Sequence, residues 1–194
     1  MTMKPVNEIF YSLQGEGRQA GRPAVFVRFS GCNLRCPFCD TDFAQHEMMT
    51  DEQILAEVQT YPSKLVILTG GEPALYVDEP LVRLLHHNGY TIAIETNGTR
   101  PLLPGIDWVT VSPKEEWQEH AEVVVEQCNE LKVVYTGQDV SRYLQIRADY
   151  YCLQPCDTGD EQTNLKLRSE AVEYCLQHPK WMLSLQLHKI LHLR

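Results

Sequence analysis

Ala24-Val25-Phe26-Val27-Arg28-Phe29-Ser30-Gly31-Cys32-Asn33-Leu34-Arg35-Cys36-Pro37-Phe38-Cys39-Asp40-Thr41 is the stretch that decides how the chain folds. Residues 24–30 are an apolar, β-branched run that reads as a buried strand, and a glycine and three cysteines follow at once. Within the strand Arg28 alternates with Val27 and Phe29 and so points to the opposite face from them. The same kind of run recurs. Residues 64–69, 90–96, 107–112, 130–136, 149–154 and 181–186 read as further strands, and the stretches near 50–60, 78–88, 138–147 and 161–178 read as helices. Two helices carry start signals: Thr50 with Gln53 three residues on resembles a capping box, and Asp78 precedes Glu79-Pro80. Segment 113–129 is compatible with helix or strand. Apolar strands alternating with helices point to an α/β fold, a mostly parallel sheet covered by helices.

Polar and glycine-rich clusters sit just past these strands. The cysteine loop follows the first, Gly70-Gly71-Glu72-Pro73 the second, Asn97-Gly98-Thr99 the third, Pro113-Lys114 the fourth and His188-Lys189 the last. In parallel α/β sheets and barrels the reactive site forms at the carboxyl edge of the strands, so five clusters at corresponding edges imply one shared pocket. With 194 residues and no repeats or linkers, the chain reads as a single domain over 1–194. That is short for a complete eight-fold barrel, which typically needs about 250 residues.

Seventeen basic against 26 acidic residues give a net charge of −9. No cluster of Lys and Arg is present to hold a phosphate backbone, so nucleic acid is not an expected partner. No run approaches the ~18 apolar residues of a membrane span, and the opening residues lack the apolar core of a secretion signal, so a cytoplasmic protein is expected. In a reducing compartment a tight cysteine group reads as metal-binding or catalytic. Cys32-x3-Cys36-x2-Cys39 supplies three soft thiolate ligands, suited to zinc or to an iron–sulfur cluster. A structural zinc site wants four ligands; His46, Cys152 or Cys156 could be the fourth. Three ligands on a four-iron cube would leave one iron open for chemistry. Cys128 and Cys175 read as thiols without a role, and an extra cluster at Cys152 and Cys156 lacks ligands.

In this order the motifs resemble the radical S-adenosylmethionine (SAM) superfamily. The resemblance implies a partial, incomplete parallel TIM-like barrel with a 4Fe–4S cluster on Cys32, Cys36 and Cys39. It also implies SAM held by Gly70, Gly71, Glu72, Thr96, Asn97, Ser112 and Lys114. The opening Asn7-Glu8-Ile9-Phe10 and Ser12-Leu13-Gln14-Gly15-Glu16-Gly17, then Cys39-Asp40-Thr41 and the ending Gln186-x-His188-Lys189, narrow it to the 7-carboxy-7-deazaguanine synthase (QueE) family. That likeness implies a lyase that turns 6-carboxy-5,6,7,8-tetrahydropterin into 7-carboxy-7-deazaguanine and ammonia. It further implies substrate contacts at Gln14, Glu16, Arg28, His188 and Lys189, and Mg2+ at Thr41. An electron donor such as flavodoxin or ferredoxin and a homodimer are implied as well. Chemically, a carboxylate at Glu16 suits the adjacent N–H donors of a pterin edge, and Arg28 suits a substrate carboxylate. Two other readings stand beside it: an activating enzyme that makes a glycyl radical on a protein partner, and a non-enzymatic zinc or iron–sulfur module.

Overall fold

In the computed structural model of the chain, residues 2–39 and 45–193 are described. Their strands form one sheet of nine, in the order β3-β1-β2-β4-β5-β6-β7-β8-β9. Chain order gives β1 (Lys4–Leu13), β2 (Pro23–Phe29), β3 (Glu47–Met49), α1 (Asp51–Val58), β4 (Leu65–Gly70), α2 (Glu79–His87) and β5 (Thr91–Thr96). Then come β6 (Trp108–Val111), β7 (Gln127–Tyr135), β8 (Arg147–Pro155), α3 (Glu161–Gln177), β9 (Trp181–Leu183) and α4 (Leu187–Ile190). From β2 through β9 neighbouring strands pair in parallel, whereas β1 runs antiparallel to both β2 and β3. The two edges, β3 and β9, are not paired with each other among the described residues, so the barrel is incomplete, as expected.

Alternation along β2 decides which side chains face in. Val25, Val27 and Phe29 pack with Val66 and Leu68 of β4, Ile92 and Ile94 of β5, Ile54 and Val58 of α1, and Leu81 and Leu85 of α2. Ala24 and Phe26 take the other face and meet Phe10, Leu65, Ile67 and Ala93, an apolar plug inside the curved sheet. A second outer layer seats α3 through Leu167 and Ala171 on Leu131, Val133, Leu153 and Trp181. The sheet must curve. Gln14 at the end of β1 reaches Glu95 on β5 at 3.1 Å, although three strand spacings of about 4.8 Å separate those strands in a flat sheet.

Both helix starts hold. Thr50 and Gln53 form a reciprocal capping box at α1, and the Asp78 side chain accepts from Leu81 N at α2. Lys4, 1% exposed, ties these two helix starts together through Asp51 and Asp78.

Three readings are corrected, and one strand is added. The N-terminal segment, not among the strands expected, is a ten-residue strand. Its alternation is hidden by an irregularity between Val6 and Glu8, which shifts the register so that Val6 and Ile9 both face the outer layer. The helix expected near 138–147 is a five-residue 3-10 turn at Ser141–Gln145. There Gln138 bonds back to Val134 O and Asp139 to Ser141 N, local bonds that compete with a longer helix. Segment 113–129 is irregular until Gln127 begins β7. The last strand stops at Leu183, so His188 and Lys189 lie on the short α4 and not at a strand end.

Candidate active site

A cavity of about 800 Å³ fills the mouth of the partial barrel, within the size range of small-ligand sites. The cysteine loop forms one wall, with Cys32, Cys36 and Cys39 all lining the space. Gly31 launches the loop at φ +95, and a Cβ there would stand 2.4 Å from the Tyr76 hydroxyl. The loop is held by the turn after β5 and by the irregular segment after β6. Asn97 Nδ2 donates to Asn33 Oδ1 at 3.1 Å, Asn33 Nδ2 to Thr99 Oγ1 at 2.8 Å, and Gln118 Nε2 to Arg35 O at 2.8 Å. The Trp117 ring meets Phe38 edge-on at 4.8 Å. Burial raises the Cys32 and Cys36 thiols above the ordinary range, while the Lys114 charge works the other way.

All seven cysteines are free thiols. Among the described residues no three metal-type side chains converge as tightly as they would around a single ion. A four-iron cube offers each thiolate its own iron, so its ligands stand farther apart than those of one ion. Three unpaired thiols on one wall, with the Lys114 charge favouring the thiolates of Cys32 and Cys36, therefore suit such a cluster.

Beside the loop, the turn after β4 is pressed against the end of β2. Gly71 N donates to Phe29 O and Glu72 N to Gly31 O, both at 3.0 Å, and a Cβ on Gly71 would come within 1.9 Å of Gly31 O. Gly70 and Gly71 therefore give the cavity bare backbone. Glu72, expected among the SAM contacts, does not line the cavity. It is fully buried, and its carboxylate accepts from Thr96 Oγ1 at 2.6 Å, Asn97 N at 2.7 Å and Ala74 N at 3.0 Å. Burial raises its pKa and these donors oppose the rise. The side chain locks the β4 and β5 turns together, leaving Thr96, Asn97, Ser112 and Lys114 on the wall. Lys114 Nζ donates to Ser112 O and Oγ at 2.7 and 2.6 Å, and burial lowers its pKa to about 8.

Deeper in the cavity the inward faces of β5 and β7 meet the loop after β1. Lys132 Nζ lies 2.6 Å from Glu16 Oε2 and 2.8 Å from Glu95 Oε2. Each carboxylate's other oxygen accepts from an amide: Gln186 Nε2 on Glu16 at 3.0 Å, and Gln14 Nε2 on Glu95 at 3.1 Å. Burial pushes Glu16 up, but Lys132, Gln186 and the nearby His188 outweigh it and hold the carboxylate at about 2. Glu95 shares the same ammonium, yet burial and the Glu16 charge leave it raised. Desolvation alone would lower Lys132; the surrounding carboxylates raise it instead.

The same loop spans the gap at the open seam of the barrel. Leu187 N donates to Gly15 O and Gly17 N to Ser184 Oγ, each at 2.9 Å. A Cβ on Gly15 would meet His188 Nδ1 at 2.5 Å, so the histidine packs directly on the turn that carries Glu16. Lys189 sits at the rim, 3.0 Å from Asp157 Oδ2. Arg28, on the opposite face of β2 from Val27 and Phe29, also lines the cavity, with Nε 3.0 Å from Glu8 Oε1 and the guanidinium 5.6 Å from the centre of the Phe10 ring. Thus Gln14, Glu16, Arg28, His188 and Lys189 line one space with the cysteines. Thr41 lies outside the described residues.

Sequence reading passed over Lys132, Glu95 and Glu130. Lys132 and Glu130 alternate with the apolar Leu131 and Val133, the same signal that singled out Arg28. Cys156 lines the cavity, whereas Cys128 and Cys152 are buried beneath it.

Residues 26–130 match the Radical SAM superfamily. Over 99% of its length the chain is 50% identical to a 7-carboxy-7-deazaguanine synthase of Bacteroides thetaiotaomicron, all of which is covered. It is 43% identical to the synthase of that name from Burkholderia multivorans, across 97% of this chain and 98% of the relative. Among solved structures it is similar to QueE from Escherichia coli, with a TM-score of 0.78 and 30% identity over 96% of this chain and 95% of that one.

Proposed function

The chain belongs to the 7-carboxy-7-deazaguanine synthase family of the radical SAM superfamily, and on that premise we propose that it converts 6-carboxy-5,6,7,8-tetrahydropterin to 7-carboxy-7-deazaguanine and ammonia. When bound, a 4Fe–4S cluster and SAM supply a 5′-deoxyadenosyl radical by one-electron cleavage of the sulfonium. Cys32, Cys36 and Cys39 would hold the cluster. Gly70, Gly71, Thr96, Asn97, Ser112 and Lys114 would hold SAM beside it, with Glu72 bracing the two turns from behind.

The observation that carries the substrate reading is that Glu16 and Arg28 line the same cavity as the three cysteines. Glu16, kept ionised by Lys132, is an acceptor for the adjacent N–H donors of an aminopyrimidinone ring. Arg28 offers a fork to a carboxylate at the other end of the same molecule. Substrate entering this space would take Gln186 off Glu16, because that amide reaches in from the segment before α4. His188 then packs over the occupied turn, and Lys189 guards the rim. The bridged seam and the family together favour a small molecule over a protein partner or a structural metal module.

Mg2+ at Thr41, a flavodoxin or ferredoxin as electron source, a homodimer and a cytoplasmic setting complete the proposal. No helix among the described residues is long and apolar enough to cross a membrane. The test is anaerobic: iron and sulfide reconstitution, then reductant, SAM, Mg2+ and 6-carboxytetrahydropterin, with products followed by mass spectrometry. A 7-carboxy-7-deazaguanine peak that grows with Mg2+ is expected. Formation of 5′-deoxyadenosine without that product would leave the radical chemistry standing and overturn the substrate.

A further inference from the structure

Glu130 lies outside the roles assigned so far. It faces inward from β7, two residues before Lys132, and is 2% exposed. Its Oε2 accepts from Arg18 N at 2.9 Å, while Oε1 is buried without a regular hydrogen bond, and the weakly donating Cys152 thiol is the carboxylate's other polar neighbour. Glycine at position 17 is explained by this neighbour. A Cβ there would stand 1.9 Å from Glu130 Oε1, and the backbone sits at φ +66. The Arg18 guanidinium lies 5.2 Å from the centre of the Tyr150 ring, and Tyr150 is the register partner of Glu130 on β8.

Each glycine beside Glu16 is therefore pressed against a different wall, Gly15 against His188 and Gly17 against Glu130. Burying a carboxylate with one oxygen left without a regular hydrogen bond is costly, so a bland apolar residue would serve stability better. What an apolar side chain could not do is accept from Arg18 N. With that bond and the Gly17–Ser184 contact, the two backbone N–H groups after Glu16 are both anchored to the barrel wall.

We propose that Glu130 is a positioning residue for substrate recognition, holding the Gly17–Arg18 backbone so that the Glu16 carboxylate faces the pterin edge. This rests on the reading of Glu16 as the substrate acceptor. Burial, reinforced by the Glu95 charge, raises the Glu130 carboxyl to about 7, so its grip does not depend on a permanent charge. Glu130→Gln, which keeps an oxygen for Arg18 N, should accordingly substitute for it.

The test uses the reconstituted, cluster-loaded enzyme with SAM and no reductant, so that 6-carboxytetrahydropterin binds without turnover. Equilibrium dialysis gives its affinity in Glu130→Ala, Glu16→Ala and the double variant, with SAM affinity measured alongside. Glu130→Ala should weaken substrate binding roughly tenfold, the size of one lost hydrogen bond, and leave SAM binding within about twofold. Glu130→Gln should restore affinity to within about threefold of the parent. In the Glu16→Ala background Glu130→Ala should add less than about twofold, because it acts through Glu16. Full multiplication of the two effects, or an unchanged affinity in Glu130→Ala, overturns the proposal. An unchanged affinity in Glu16→Ala instead overturns the acceptor reading beneath it. Should Glu130→Ala fail to load its cluster, Gly17→Ala displaces the same turn and must show the same loss and the same dependence on Glu16.

Discussion

Lys132→Met removes the ammonium that Glu16 and Glu95 share and leaves a side chain of similar length. Both carboxylates stay in place, with side chains only 17% and 19% exposed. Glu95, already raised by burial, escapes by taking a proton, so Glu16 carries most of the loss. Glu16 is held at about 2 against an ordinary 4.5. That gap, at about 1.4 kcal/mol for each pH unit, is worth about 3 kcal/mol. Removing one partner of a buried ion pair costs about 3–5 kcal/mol elsewhere, which agrees. The sign follows from the direction of each shift. A depressed Glu16 contributes stability that is present above pH 4.5 and lost as pH falls toward 2. A raised Lys132 contributes stability that is present below its ordinary 10.5 and persists into alkali. The variant should therefore be less stable by about 3 kcal/mol from neutral pH into mild alkali, with the difference closing in acid. For a denaturant slope of about 3 kcal/mol/M, the urea midpoint drops by about 1 M at pH 7. Tryptophan fluorescence during anaerobic urea unfolding at pH 7 and pH 3.5 reads both values. A midpoint within about 0.3 M of the parent at pH 7, or an equal shift at both pH values, refutes the reasoning.

Glu72→Ala leaves Thr96 Oγ1, Asn97 N and Ala74 N without their acceptor and should cost about 3 kcal/mol. In a chain of this size that is a fall of roughly 6–12 °C in melting temperature, and a calorimetric drop under about 2 °C would mean the brace is dispensable. Lys4→Met strips Asp51 and Asp78 of the cation that joins the starts of α1 and α2. A loss of about 3 kcal/mol by urea unfolding is expected, and one below about 1 kcal/mol would show that the helix caps hold without it. Cys36→Ala should abolish cluster assembly, read as iron and sulfide per chain after reconstitution; a full complement would mean that the ligand set is wrong.

Much of the site was legible because its chemistry is carried by side chains at fixed sequence spacing. The cysteine triplet, the paired glycines and the alternation of Arg28 with Val27 and Phe29 needed no coordinates. Strand-end clustering then correctly implied a shared cavity. Two failures have physical causes. The register shift at Val6–Glu8 broke the two-residue period that marks a strand, so β1 was not recognised. His188 and Lys189 were placed at a strand end because nothing local shows that β9 stops at Leu183.

Sequence by itself determined the fold class and the family and named the candidate cluster ligands, since periodicity and short-range motifs are local properties. Only the tertiary structure decided how polar groups 37 to 170 positions apart combine. Lys132 meets Glu16 and Glu95, Gln186 meets Glu16, and Glu130 reaches the backbone of Arg18. Those pairings depend on sheet curvature and on the loop that bridges the open seam. Curvature is a property of all the strands together, and no window of residues contains it. The same fact makes Glu72, expected among the SAM contacts, a buried brace: its neighbours Thr96 and Asn97 arrive from the next strand, carrying donors to each oxygen of its carboxylate.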